Sequence, residues 1–193
     1  EPRALDWVSV ALPVPPGQVP AALAGMRALG IEGLSVTMPH KGAVAAQIDV
    51  LTADAAALGA VNSVRRDGDR LIGDNTDGGG FVDSLTEAGV DPSGRRCVVL
   101  GAGGAARAVV RSLATAGAAQ VTVVNRDPGR AATAAALAGA VGAVGAASDL
   151  GTADLLVQAT PMGMGDDTTL AADPELLPAG AVVADLVYHP LVT

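Results

Sequence analysis

Apolar and polar positions along this chain fall into short blocks whose period switches repeatedly between that of a strand and that of a helix. Residues 6–12 (DWVSVAL) read as a strand stopped by PVPPG, and residues 18–30 as a helix closed by a glycine. A second strand is expected over 33–38 (GLSVTM), cut off by Pro39, followed by two Ala-rich helices over 42–48 and 52–59. Residues 60–75 read as a hairpin whose halves flank the turn dipeptide Asp67-Gly68. A helix over 79–89 and a turn over 91–94 come next. From Arg96 the pattern sharpens: strands at 96–101, 120–125, 153–160 and 180–187, with helices at 104–117 and 129–139. Short apolar strands alternating with helices predict a parallel sheet covered on both faces. A domain boundary is expected between about residues 78 and 94.

Composition narrows the picture. Half of the 193 residues are apolar but only 2% are aromatic, so the core must be built from Ala, Val and Leu. A net charge of −8 repels phosphate backbones and anionic bilayers, which argues against nucleic-acid and membrane partners. No apolar run reaches the ~18 residues that span a bilayer, and EPRALDWVSV has neither the basic start nor the apolar stretch of a signal peptide. The one cysteine, Cys97, lies in an apolar run and reads as a buried thiol. A lone thiol without a disulfide fits the cytoplasm. The Ala/Gly stretch 131–147 reads as a small-residue helix lying close to a sheet. His40 and His189, each beside a proline and far apart, point to no metal site.

The segment VVLGAGGAARAVV orders a strand, a glycine turn and a helix. Gly101 and Gly103 take the first two positions of the G-x-G-x-x-G/A fingerprint and Ala106 the third, where a small side chain lets helix and strand pack closely. The helix start offers free N–H groups and partial positive charge to a pyrophosphate. A dinucleotide site on a Rossmann-type sheet is therefore expected, the alternative being a tight structural turn. At the end of the next strand Asn125 stands where an NAD site expects a carboxylate. Arg126 and Arg130 are suited to a 2′-phosphate, or else form a solvated helix start. NADP is the expected cofactor, with the negative charge of Asp127 as the argument for NAD.

The first half carries IEGLSVTMPHK (31–41) and GDNTDG (73–78). Alone, Lys41 reads as a surface lysine and Asp77 as a turn or cap residue. Beside a redox cofactor they acquire a second reading, because hydride transfer between alcohol and ketone also needs a proton carrier. Together with LGAVNSV (58–64), GAGGAAR (101–107), NRDPGR (125–130), ATPMGM (159–164) and DLVYHP (185–190), these segments resemble the shikimate dehydrogenase family in order and spacing.

The resemblance implies reversible NADPH-dependent reduction of 3-dehydroshikimate to shikimate, in aromatic amino-acid and chorismate biosynthesis. It makes Lys41 the acid/base, Asp77 the holder of a substrate hydroxyl, and Thr37, Asn62 and Tyr188 further substrate ligands. Gly101, Ala102, Gly103, Gly104 and Ala105 would cradle the pyrophosphate. Asn125, Arg126, Asp127 and Arg130 would hold the adenosine ribose phosphate, and the ATPMGM loop and Leu186 would lie near the nicotinamide. The implied architecture is α/β: a substrate domain over 1–78, a linker helix and turn over 79–94, and a Rossmann-type, doubly wound NADP domain over 95–193, in a monomer or homodimer.

The chain departs from the family pattern in three places. It starts after the family's first strand and serine-containing loop, which grip the substrate carboxylate, and it stops before the helix bearing a substrate-binding Gln. The family's NADP-specific members usually carry Ser or Thr where Asp127 stands. The expectation is a truncated piece, weak or inactive by itself, of a longer enzyme. A quinate/shikimate dehydrogenase using NAD and a non-catalytic NADP-binding module are the rival readings.

Overall fold

Two sheets organise the chain, and a computed structural model describes residues 6–189 of it. In the first sheet β1 (Gly33–Ser35) pairs antiparallel with β3 (Ser63–Asp67) and β3 with β4 (Arg70–Asp74), while β2 (Val50–Leu51) joins β4 in parallel; the order is β1-β3-β4-β2. β3 and β4 form the expected hairpin. Asp67 pairs with Arg70, and Gly68 enters the two-residue loop at φ +59°, which costs glycine no strain. Val19, Leu23 and Met26, at helical spacing on α1 (Val19–Ala28), pack with Val44 of α2 (Lys41–Ala45) and Ala55 of α3 (Ala53–Leu58). Val61, Val64 and Leu71 complete this core.

The second sheet is wholly parallel, in the order β7-β6-β5-β8-β9. Its strands are β5 (Arg96–Leu100), β6 (Gln120–Val124), β7 (Gly142–Val144), β8 (Leu155–Gln158) and β9 (Val182–Asp185). Val99, Val121, Val123, Leu155 and Val157 pack with α4 (Asp77–Glu87), α5 (Gly104–Thr115) and α6 (Pro128–Ala135). Val98, Leu100 and Leu156 meet Leu150, Ala153 and Leu177, so irregular segments and short 3-10 turns close that side. Each fully buried Val or Leu contributes about 1.5–3 kcal/mol. With Phe81 as the only phenylalanine, the core depends on closely fitted small side chains.

Close fit is most demanding where α4 crosses α5. A Cβ on Gly78 would collide with the Ser112 hydroxyl and lie 2.6 Å from the Ala108 carbonyl oxygen. α5 also reaches the first sheet's side of the molecule: Arg111 Nε donates to Asp54 at 2.6 Å, and Arg107 Nη2 to the Leu58 carbonyl at 3.0 Å. Both ends of α3 are thus held by cations of one helix.

Several expectations need correction. Residues 6–12 form no strand: Trp7 and Val8 are 71% and 88% exposed, and the segment lacks a ladder partner among the described residues. Strand-like composition alone cannot make a strand when no neighbour supplies hydrogen bonds. The strand expected over 33–38 ends at Ser35; the Val36 N–H still donates to the Asn62 carbonyl at 2.7 Å, and the turn over 38–40 then leads into α2. The helix expected over 129–139 stops at Ala135, tightening into a 3-10 segment in which Gly139 leaves helical geometry at φ +58°, ψ −130°. The Ala/Gly stretch does lie against the sheet, with Ala131, Ala134 and Ala135 buried, but its end supplies β7. The parallel arrangement extends only to the second sheet, the first being mixed. Pro190, which closes the DLVYHP motif, and the outer ends of the two expected domains lie outside the described residues.

Arg96 and Asp154 join the starts of β5 and β8 through two side-chain bonds of 2.9 and 3.1 Å, and the Arg96 backbone N–H donates to the same carboxylate at 2.9 Å. The guanidinium, then that N–H, hold Asp154 at about 2 against an ordinary 3.8. A carboxyl depressed on folding stabilises above its unfolded value and stops doing so as pH falls through its folded one. Asp154→Asn should therefore unfold at lower urea than wild type at pH 6, and the gap should close between about pH 4 and pH 2. Equal midpoints at pH 6 would contradict this.

Candidate active site

Lys41 opens α2 and Asp77 opens α4, where a carboxylate suits the positive end of the helix dipole. Lys41 Nζ donates to Asp77 Oδ2 at 2.7 Å, with 31% and 36% of the two side chains exposed. An ion pair this open adds only about 0–1 kcal/mol to stability, so its significance lies in placement. Asn62 Nδ2 donates to the other carboxylate oxygen, Oδ1, at 2.7 Å, and to Thr76 Oγ1 at 3.1 Å. The Thr76 N–H donates back to Asn62 Oδ1 at 2.9 Å. Below the group, the Val61 N–H donates to the Lys41 carbonyl at 3.0 Å, and the Asn62 N–H to the Asp74 carbonyl at 2.9 Å. Two loops at one end of the first sheet are laced to the starts of two helices.

Lys41, Asn62 and Asp77 therefore come together. Thr37 lies in the turn before α2 with its side chain exposed, and its carbonyl accepts from the His40 N–H at 3.0 Å. Tyr188 is 82% exposed, beyond β9, and among the described residues it makes no hydrogen bond to the group. Thr76 and the buried Asn75 are members of the cluster that the motif reading passed over. One further signal was available in the composition. Of twelve basic residues eleven are arginine, and Lys41 is the only lysine.

The second sheet builds a different feature. The chain leaves β5 toward β6 on one side and returns to β8 on the other, so the carboxyl ends of β5 and β8 form a topological switch point, the place where open α/β sheets bind ligands. Gly101 follows β5 at φ +107°, and a Cβ there would lie 2.8 Å from the Ala159 carbonyl oxygen. Packing itself demands that glycine. Ala102 is buried, and Gly103 caps α5 in an extended conformation, φ −78° and ψ −173°. A Cβ on Gly103 or Gly104 would meet nothing within 4 Å, and Ala105 is exposed beside them. Space is kept open over the N-terminus of a twelve-residue helix whose Ala106 is fully buried.

At the end of β8 Gln158, itself buried, holds the following loop. Its Nε2 donates to the Thr160 and Met162 carbonyls at 3.3 and 2.9 Å, and its Oε1 accepts from Thr160 N and Oγ1 at 3.0 and 2.9 Å. The Gly165 N–H donates to the His189 carbonyl at 3.1 Å, tying this loop to the segment that holds Leu186, which is half-buried, and Tyr188. At the end of β6, Asn125 Nδ2 donates to the Asp127 carbonyl at 3.0 Å. The Asp127 carboxylate caps α6, accepting from Gly129 N at 2.9 Å and Arg130 N at 3.1 Å. Arg126 and Arg130 are exposed and make no ion pair among the described residues.

Burial pushes the Cys97 thiol up to about 11, so it is no nucleophile at neutral pH. Among the described residues no group of three or more His, Cys, Asp or Glu side chains could hold a metal ion, and no helix is long and apolar enough to cross a membrane.

Residues 1–64 match the shikimate dehydrogenase substrate-binding domain, and residues 84–161 the shikimate/quinate 5-dehydrogenase domain. A shikimate dehydrogenase (NADP(+)) of Symbiobacterium thermophilum is 50% identical over 95% of this chain and 67% of its own length. The chain belongs to the shikimate dehydrogenase family. Two solved structures carry the likeness into three dimensions. Shikimate 5-dehydrogenase from Thermus thermophilus, in complex with NADP(H) and shikimate, is 38% identical with a TM-score of 0.83, covering 92% of this chain and 66% of that one. The ligand-free 5-ketofructose reductase of a Gluconobacter strain is 39% identical with a TM-score of 0.84, covering 92% and 67%. The chain thus spans about two thirds of the length of these shikimate dehydrogenase relatives.

The two turn glycines should separate under mutation. Gly101→Ala meets both a positive φ and a carbonyl and should cost more than about 1 kcal/mol in urea unfolding, whereas Gly103→Ala should stay within about 0.5 kcal/mol. Equal losses would mean that both glycines serve packing.

Proposed function

We propose that the protein carrying this chain is an NADP-dependent oxidoreductase that reversibly reduces 3-dehydroshikimate to shikimate. The observation that carries the reading is the pair Lys41–Asp77 at 2.7 Å, built on the chain's only lysine. Wherever charge alone is needed this chain uses arginine, which cannot give up its proton in a protein. At position 41 it uses the cation that can. Lys41 delivers a proton to the substrate's carbonyl oxygen in reduction and takes it back in oxidation. Asp77 holds the lysine in place and accepts a bond from the substrate hydroxyl. Asn62, Thr37 and Tyr188 serve as further hydrogen-bonding groups for a polyhydroxylated acid.

The open space over Gly103 and Gly104 at the start of α5 fits a pyrophosphate, with Gly101, Ala102 and Ala105 completing the cradle. Bound NADPH would supply the hydride. Arg126 and Arg130 would hold the ribose phosphate beside Asn125, and Leu186 would border the nicotinamide. The Asp127 carboxylate caps α6 through Oδ1, which gives this residue a structural role besides any contact with the ribose. Residues 1–78 would bind substrate and 95–193 the cofactor, joined through 79–94. A cytoplasmic setting suits the buried, undisulfided Cys97, and a monomer or homodimer is the expected assembly.

Lys41→Arg keeps the charge and removes the titratable amine, so kcat for shikimate oxidation should fall about 10²- to 10⁴-fold. A variant as fast as wild type would remove Lys41 from the chemistry. Protein that binds NADPH without turning over either substrate would instead support a non-catalytic module.

Cofactor choice has its own test. Arg126→Ala and Arg130→Ala should each raise KM for NADP about tenfold or more, the equivalent of ~1.5–3 kcal/mol per charge-assisted bond, with KM for NAD little changed. A wild type that prefers NAD would overturn the assignment.

A further inference from the structure

We propose that Asn75 is a positioning residue for the reaction, holding Asp77 against Lys41 from beneath; the inference rests on the dehydrogenase reading above. Asn75 is 6% exposed, and with Thr122 and Gln158 it is one of the buried polar side chains among the described residues. Its amide is used at both ends. Oδ1 accepts from the Asp77 N–H at 3.2 Å, and Nδ2 donates to the Ala60 carbonyl at 3.1 Å. Its own N–H donates to Asp74 Oδ1 at 2.8 Å, an oxygen that also accepts from Thr52 Oγ1 at 2.6 Å. Thr52 in turn caps α3.

Asn62 makes the opposite connection. It sits on the 60–62 segment and reaches across to Thr76 and Asp77, while Asn75 sits beside Asp77 and reaches back to Ala60. The two asparagines clasp the loops reciprocally, one half-exposed above and one buried below. Thr76, the residue before α4, gives that helix no side-chain cap, so the first N–H of α4 is served by Asn75 instead. Truncating Asn75 strands the Asp77 N–H and the Ala60 carbonyl together. The main chain that carries the carboxylate then loses its seat, and a shift on the order of 1 Å at such a group can cost a hundredfold in rate.

The test uses the whole protein that carries this chain as wild type, Asn75→Ala, Asn75→Asp and Thr122→Val, the last removing a buried hydroxyl from the second sheet. Steady-state kcat and KM for shikimate and NADP are measured beside the rate at which limiting acetic anhydride acetylates Lys41, read by mass spectrometry. An amine bonded to a carboxylate acylates slowly, and peptide-resolved mass spectrometry reads Lys41, the only lysine among these 193 residues, separately from any other amine. Asn75→Ala should lower kcat about tenfold or more while KM for NADP stays within about twofold, and should speed Lys41 acetylation. Asn75→Asp, which keeps the acceptor and loses the donor, should fall between, and it carries the test if Asn75→Ala does not fold. Thr122→Val should change none of these. Wild-type kcat with wild-type acetylation in a folded Asn75 variant overturns the proposal, as does an equal loss of kcat in Thr122→Val. If wild type does not oxidise shikimate, the dehydrogenase reading fails instead, and the acetylation rates alone decide whether Asn75 seats the pair.

Discussion

The contact between α4 and α5 at Gly78 is the constraint on which the rest of the arrangement depends. Without a Cβ, the first turn of α4 lies directly on the Ala108 carbonyl and the Ser112 hydroxyl of α5. Asp77 is the residue before Gly78, and the open glycine turn is the start of α5. One helix crossing therefore fixes a carboxylate that follows the first sheet's inner strand β4 relative to an anion cradle on the second. Arg107 and Arg111 extend the same helix toward α3, whose far end leads into the Asn62 segment. Cradle and proton carrier are linked through packed backbone, where a side chain as small as alanine would not fit.

Local signals carried most of the second sheet. RCVVLG, QVTVVN and ADLLVQAT are apolar enough, and well enough bounded by glycines and turns, that strand period and helix period separate without tertiary help. Local signals failed where a partner decides. Val50–Leu51 is too short to show a period and is a strand only because β4 lies beside it. Gly142–Val144 has the composition of the preceding helix and becomes β7 because β6 offers a free edge. DWVSVAL has strand-like composition and no ladder partner among the described residues.

The candidate site divides in the same way. Lys41, Asn62 and Asp77 were legible because each sits in a motif of distinctive polar residues. Asn75 lies inside one of those motifs, yet its role rests on burial and on a carbonyl fifteen residues away, which no spacing rule reveals. The Asp127 question shows the converse. As sequence it is a negative charge beside a phosphate site; as structure it is a helix cap whose carboxylate is already engaged by two N–H groups. The lysine-to-arginine imbalance needed no structure at all.

The exposed segment before α1 has a consequence for how this molecule can be watched. Its only tryptophan, Trp7, stands there in contact with solvent, and its only tyrosine is exposed at the opposite end of the described chain. Both cores are aliphatic apart from Phe81. Intrinsic fluorescence therefore originates outside the packed interior, with the red-shifted emission of a hydrated indole from the start. Melting of either sheet would pass almost unseen in that signal, while a molecule settling on residues 6–12 would shift it at once.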